Sequence, residues 1–351
     1  MSTAKGPHLA VREEWLALRR EPILEPGMPI IDCHHHLWDR PGSRYLLDDL
    51  LADTGTGHNI VATVYVQARG MLRAEGPVEE RSLGETEFAN GVAACSASGI
   101  YGPTRVNAGI VAMVDLMLGE AAAPLLDRHL RVAGDRLRGI RNTTAWHPSK
   151  EIVSNPIPPP PGMLASAAFL KGAAQLAPRG LSLDIWAYHT QLEDVLALAR
   201  ALPELQIILN HAGGPLGAGP YAGKRAEVMA EWRAGMEKLA ALPNIAVKLG
   251  GMGMAVNGFG FEDGDVPPGS EQIAAAFAPY MLACIEMFGA ARCMFESNFP
   301  VDKGSYGYAV LWNGFKRLTE GLPDEDRLNL FAGTAARVYR LPAGVALIGT
   351  S

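Results

Sequence analysis

Eight short apolar runs punctuate the chain, and between them the apolar positions change to a helical spacing. The clearest run, Ile60-Val61-Ala62-Thr63-Val64-Tyr65-Val66, is nearly continuous and rich in β-branched residues. Such a run predicts a strand covered on both faces, as in a parallel sheet. Comparable runs lie around Ile30-Ile31 and at 108–116, 137–142, 181–188, 205–210, 245–249 and 293–296. Helical patterns cover 85–98, 121–133, 163–177, 192–202, 225–242, 274–288, 309–319 and 324–339. Ahead of the first strand, the spacing of Val11, Trp15 and Leu18 predicts a short amphipathic helix over 8–20.

This alternation predicts an α/β protein with a parallel sheet and helical crossovers. Eight units in roughly 300 residues fit a closed (β/α)8 TIM barrel better than an open doubly wound sheet. No Gly-x-Gly-x-x-Gly follows the first strand, which removes a dinucleotide-binding fold. The proline run at 156–161 interrupts no alternation and reads as a stiff loop. The glycine- and acid-rich segment 251–270, placed after strand seven, reads as a mobile substrate loop. One domain is expected: an N-terminal extension over 1–28 and the barrel over 29–345.

Composition narrows the class. An apolar fraction of 48% and a mean hydropathy of +0.06 describe an ordinary globular chain. With 31 basic and 37 acidic side chains the net charge is −6. That balance argues against nucleic acid or an anionic membrane as partner, and leaves room for a local basic pocket that takes a small anionic substrate. Cys33, Cys95, Cys284 and Cys293 show no zinc-knuckle or Cys-x-x-Cys spacing, and read as reduced core residues of a cytoplasmic protein. No secretory signal is visible, and no apolar run reaches the length of a membrane span. Whether the chain pairs into a homodimer is left open.

The chemistry starts at Pro29-Ile30-Ile31-Asp32-Cys33-His34-His35-His36-Leu37-Trp38-Asp39. Side chains alternate along a strand, so His34 and His36 share one face and His35 takes the other. Two imidazoles two residues apart can chelate a divalent transition metal, and Asp32 is close by as a carboxylate to support them. In a barrel of this class the chemistry sits at the C-terminal ends of the strands. His189 follows strand five and His211 follows strand six, so four of the nine histidines fall there. Packing does not explain that concentration, and a metal site does.

Together with Met294-Phe295-Glu296-Ser297-Asn298-Phe299-Pro300, these histidines resemble the amidohydrolase superfamily. The likeness is to its branch of metal-dependent TIM-barrel hydrolases that includes sugar-lactone and pyrone-dicarboxylate lactonases. It spans about 29–341 and ends in a closing helix around Phe331-Ala332-Gly333-Thr334-Ala335-Ala336-Arg337-Val338-Tyr339. The resemblance implies one divalent ion, zinc first and manganese, iron or cobalt next, on His34, His36, His189, His211 and Asn298. It implies that the ion polarises a carbonyl and acidifies a water, while a strand-eight carboxylate takes the proton.

Two departures matter. Strand four, Arg138-Gly139-Ile140-Arg141-Asn142-Thr143, offers no lysine or glutamate to bridge two metals. The family's strand-eight aspartate falls on Asn298, whose neutral amide cannot be a base. Glu296, two residues earlier on the same face, is therefore expected to serve as base or ligand, with Asp302 as the other replacement and Asn298 orienting substrate or water. Lys248, a charge in an apolar strand, stabilises an anion or pairs with Glu296. Arg141, or Arg138, whichever faces the lumen, is expected to clamp a substrate carboxylate as strand-four arginines do in the lactonases. Gln67, Trp38 and Tyr188 complete the expected pocket. The reading is a metal-dependent hydrolase, a lactonase foremost, opening a cyclic ester or amide of a small acid. The alternatives are a decarboxylase or other lyase of an aromatic or unsaturated acid, and a metal-free member.

Overall fold

The apolar runs are buried along almost their whole length, and the structure, a computed structural model describing residues 7–342, sets them side by side in chain order. The eight parallel strands are β1 (Pro29–His35), β2 (Asn59–Val66), β3 (Arg105–Ala112), β4 (Leu137–Thr143), β5 (Ser182–Trp186), β6 (Ile207–Leu209), β7 (Ile245–Leu249) and β8 (Cys293–Phe295). Each is followed by a helix, in order α1 (Leu47–Thr54), α2 (Leu83–Ala97), α3 (Ala122–Ala133), α4 (Ala167–Ala173), α5 (Leu192–Ala201), α6 (Arg225–Ala240), α7 (Ser270–Phe288) and α8 (Tyr308–Leu318). This is a (β/α)8 barrel, as the alternation predicts. Hydrogen bonding cannot stop at two bare edges, so the sheet curls until β8 meets β1. The seam is short: the His36 amide donates to Phe299 O at 2.8 Å and the Asn298 amide to His34 O at 2.9 Å.

Apolar side chains fill both sides of the sheet. A large cluster lies between strands and helices, built on residues such as Ile110, Leu183, Leu209, Trp232, Phe277 and Phe295. A second joins Ile31, Val64, Ile208 and Met294 to Tyr339 and Leu341, so the chain's closing segment packs onto the strands. Local signals set the ends of elements. The Ser166 hydroxyl accepts from the Phe169 amide at 3.1 Å and caps α4.

Three expectations change. The N-terminal helix is a single turn, Glu13–Leu16, because Val11 and Leu18 stay 40% and 62% exposed and only Trp15 of the expected stripe is buried. That turn and the chain just after it pin the segment 251–270 read as mobile: Trp15 Nε1 donates to Gly264 O at 3.0 Å, and Arg19 Nε to Pro267 O at 3.1 Å. Phe259 and Phe261, stacked at 5.6 Å, hold the same segment against the core. Cys95 is exposed, whereas Cys33, Cys284 and Cys293 are buried and free. Among the described residues no helix is long and apolar enough to cross a membrane. The expected barrel end at 345 lies outside the described residues.

Candidate active site and metal centre

His34 and His36 point inward and His35 outward, where its Nε2 meets Thr63 Oγ1 at 2.8 Å. The register of β1 slips between Asp32 and His35, and that slip turns His34 inward although Asp32 faces Tyr308 on the outer side. The His34 and His36 rings stand edge to face, 4.9 Å between centroids, and His211 lies 4.7 Å from His34 on the other side. His211 and the next residue, Ala212, both adopt positive φ, 55° and 49°. Such conformations persist only where the surroundings hold them, and they cluster at functional positions. Gly251 is part of the hold. A Cβ there would come within 2.0 Å of His211 Nδ1, and its own φ is +65°, so only glycine lets β7's end pass the imidazole.

Glu296 joins the histidines. Its Oε1 accepts from the His211 amide at 3.0 Å and from His211 Nδ1 at 2.7 Å. Its Oε2 lies 2.6 Å from His34 Nδ1, yet it has no hydrogen-bond partner among the described residues. Ligand atoms of His34, His211 and Glu296 all fall within 4.8 Å of one another. Two imidazoles and a carboxylate, with one buried oxygen left over, fit a divalent transition ion. Burial, reinforced by Lys248, pushes the His34 imidazole well below the usual range, and burial followed by Arg141 does the same to His36. Burial also lowers His211, against the pull of Glu296. Neutral imidazoles are the ligating form.

The floor beneath is a closed set of charges. Lys248 Nζ meets Asp184 Oδ2 at 2.8 Å, both fully buried, and sits 3.4 Å from His34 Nδ1. Asp184 also accepts from Tyr339 at 2.8 Å and from Asn210 Nδ2 at 3.0 Å. Lys248 is thus paired with Asp184, and not with Glu296 as one reading held. Among the described residues Asp32 meets no imidazole ring. It takes the Ser297 amide at 2.9 Å and hydroxyl at 2.6 Å, lacing β1 to the stretch after β8.

Above the floor opens a cavity of about 230 Å³ lined by His36, Trp38, Gln67, Arg141, His211 and Asn298, among others. Arg141 Nη2 donates to Gln67 O at 2.6 Å, and Nη1 to His34 Nε2 at 3.1 Å. His36 Nδ1 faces Val66 O at 2.7 Å, so its proton sits there and Nε2 is free for the cavity. Asn298, at φ 56°, donates through Nδ2 to Asp302 Oδ1 at 2.9 Å.

Three expected residues are brought neither to this cavity nor to the floor beneath it. His189 lies past the strand's last residue, in a turn opened by Tyr188, where alternation no longer aims it; its ring packs 5.1 Å from Tyr221 and its Nε2 is 3.6 Å from Glu231. Arg138 is an odd number of residues from Arg141 and so takes the opposite face of β4, near its start. Tyr188 stands behind the wall and bonds Ser154 at 2.7 Å. Conversely, Trp186, Arg40, Arg69, Ser154, Asn155 and His8 line the cavity without having been singled out. Trp186 was within reach of alternation, since it shares a strand face with Asp184 and meets His211 edge-on at 4.6 Å. Arg40 ends a short strand, Trp38–Arg40, of a two-stranded hairpin, and the others arrive on loops. His8 stacks on Trp38 at 5.5 Å from the far N-terminal side.

Comparisons with known proteins bear on this geometry. A family model described as amidohydrolase matches residues 31–341. The chain is 33% identical over 337 residues to the uncharacterized protein y4mH of Sinorhizobium fredii, covering 89% of this chain and 98% of that protein. It is 28% identical over 324 residues to an L-fucono-1,5-lactonase of Burkholderia multivorans, covering 89% and 96%. A crystal structure of an amidohydrolase from Burkholderia multivorans with bound zinc aligns with a TM-score of 0.65 at 27% identity, covering 89% of this chain and 99% of that one.

Proposed function

This chain belongs to the amidohydrolase family, and from that premise we propose that it is a hydrolase opening a lactone of a small sugar-derived or carboxylated acid. The observation that carries the reading is the meeting of His34, His211 and Glu296 below a cavity walled by two tryptophans and rimmed by arginines. The likeness to a curated lactonase at 28% identity points the same way.

His34, His211 and Glu296 would hold one divalent ion, zinc first, which when bound polarises the ester carbonyl and acidifies a water. Arg141 and Lys248 already bring two cations to His34, which suits a single ion and not a pair. His36 supplies the base: its Nδ1 is fixed on Val66 O, and its neutral Nε2 faces the cavity to take the water's proton. Asn298 is held by Asp302 and presents its amide oxygen to a substrate hydroxyl. Arg141, and Arg40 and Arg69 at the mouth, bind the anionic end of the substrate or product. Trp38 and Trp186 cover the ring's faces.

The test is a panel of sugar 1,5- and 1,4-lactones, L-fucono-1,5-lactone included, followed by acid release with a pH indicator, alongside metal content of the untagged protein. Ring opening by wild type, lost together with the metal in Glu296→Gln, is the expected result. Metal-replete protein that opens no lactone but releases carbon dioxide from a carboxylated aromatic acid would overturn the proposal in favour of a lyase.

A further inference from the structure

A second cleft lies on the opposite side of the barrel, between the last turns of α2 and α3 and the starts of β3 and β4. Its volume is about 710 Å³, within the range of small-molecule sites. The space exists because its wall is poor in side-chain bulk: Ala93, Ala97, Ala108 and Ala133 line it, with Gly134 beside them. The charges around it are one-sided. Among the described residues that line it, Arg105, Arg131, Arg136 and Arg138 stand against a single carboxylate, Asp135, in a chain whose net charge is −6.

Part of that charge has a local explanation. Arg131 lies in the last turn of α3 and Arg136 just beyond it, where cations offset the helix dipole. Arg136 Nη1 also donates to Asn90 Oδ1 at 2.7 Å. Arg105 and Arg138 are different. Arg105 Nη1 and Arg138 Nε are buried and have no hydrogen-bond partner among the described residues. Burial, and then the nearby Arg340, lower the Arg138 guanidinium below its ordinary range, with Asp135 giving only partial relief. Native structures leave few buried donors unmet, so Arg105 and Arg138, both lining the cleft, carry hydrogen-bonding capacity and charge that their described neighbours do not fill.

We propose that this cleft binds a small organic dianion with an apolar body, such as a phosphate monoester or dicarboxylate, at a site separate from the candidate active site. The anionic group meets Arg105 and Arg138, Arg131 stands at the mouth, and the alanines take the apolar part. Guanidinium groups suit this because they present paired donors to a phosphate or carboxylate.

The probe is phenyl phosphate, titrated calorimetrically into the full chain, with benzyl alcohol as its uncharged counterpart. Phenyl phosphate also suits the arginines of the first cavity, so the measurement is repeated in Arg141→Gln. The expected component survives Arg141→Gln, is absent with benzyl alcohol, and weakens about a hundredfold or more in Arg105→Gln/Arg138→Gln, the loss of two charged hydrogen bonds. Arg131 is exposed, so Arg131→Glu keeps the fold and is expected to weaken binding about tenfold through charge reversal alone. No phenyl phosphate component in Arg141→Gln, or one untouched by Arg131→Glu and by the double variant, overturns the proposal and assigns the unmet donors to water. Equal binding of benzyl alcohol overturns its anionic part. Lactone turnover is read separately, so failure there leaves this result standing.

Discussion

Two zones of one site handle charge in opposite ways. On the floor, Asp184, Lys248, Glu296 and the His34 and His211 rings are shut off from solvent and packed against one another, with Tyr339 and Asn210 also serving Asp184 and Glu296 Oε2 left over. At the rim, Arg40, Arg69 and Asn155 face a cavity and keep donors for whatever enters it. A buried charge without its partner is expensive, whereas a rim charge is still partly hydrated. Floor residues therefore tie function to folding, while rim residues change affinity alone. Substitutions at each level separate the two zones.

The largest effect is expected from Lys248→Met. It leaves Asp184 buried with Tyr339 and Asn210 as its side-chain donors among the described residues, a loss of about 3–5 kcal/mol of stability by analogy with other broken buried pairs. Thermal and urea melts read it directly. Adding Asp184→Asn is expected to restore much of the loss; an unchanged melt in the single variant would mean that the floor tolerates an uncompensated carboxylate.

Next comes a dependence on pH. Asp302 is fully buried, and burial pushes its carboxyl up to about 7 from a usual value of 3.8, against the hydrogen bonds from Tyr306, Gly253 and Asn298. Its folded value exceeds its unfolded one, so the folded state holds more protons between those two points. Stability contributed by the proton is complete below pH 3.8 and is lost as pH rises through about 7. Asp302→Asn flattens that slope, although its amide faces donors and lowers stability at every pH. Asp32, raised to about 6 by the same burial, keeps its own share of the slope in the variant. Urea midpoints across this range that track wild type in Asp302→Asn would remove Asp302 as the cause.

Glu296→Gln comes third. The amide keeps the volume and one acceptor but puts a donor against either His211 or His34. Metal content and turnover are both expected to fall, by about ten- to a hundredfold in apparent metal affinity. Plasma mass spectrometry against added zinc measures the first, and the lactone panel the second.

The contrast also explains what the sequence could show. Strand period and strand order made the barrel legible, and the same period set His34 and His36 on one face. Period alone does not say how far neighbouring strands are staggered. Asp184 lies beside Ile208, and Ile208 beside Ala246, so Lys248 starts two residues further along its strand and still reaches Asp184 with its long side chain. That stagger made Asp184 its partner where the linear chain suggested Glu296. His189 misled for a related reason: once β5 ends at Trp186, the chain turns and alternation stops aiming side chains. Rim residues such as His8 and Asn155 come from segments far apart in sequence, and only the folded backbone brings them to one mouth.

The smallest effect is expected where that rim is most self-contained. Arg40 lies over the Trp38 ring at 4.3 Å and donates through Nη2 to Ala68 O, so part of its work is to brace the wall and not to bind. Removing it as Arg40→Ala leaves His36, Glu296 and the floor untouched. KM is then expected to rise about three- to tenfold with kcat unchanged, because a cation–π contact and an open charge are together worth roughly 1 kcal/mol. A fall in kcat of the same size would move Arg40 into the transition state's own contacts. The boundary between floor and rim would then run through the tryptophan wall, and Trp38→Phe, which keeps an aromatic face for Arg40, would lose less kcat than Arg40→Ala, in proportion to the stacking it preserves.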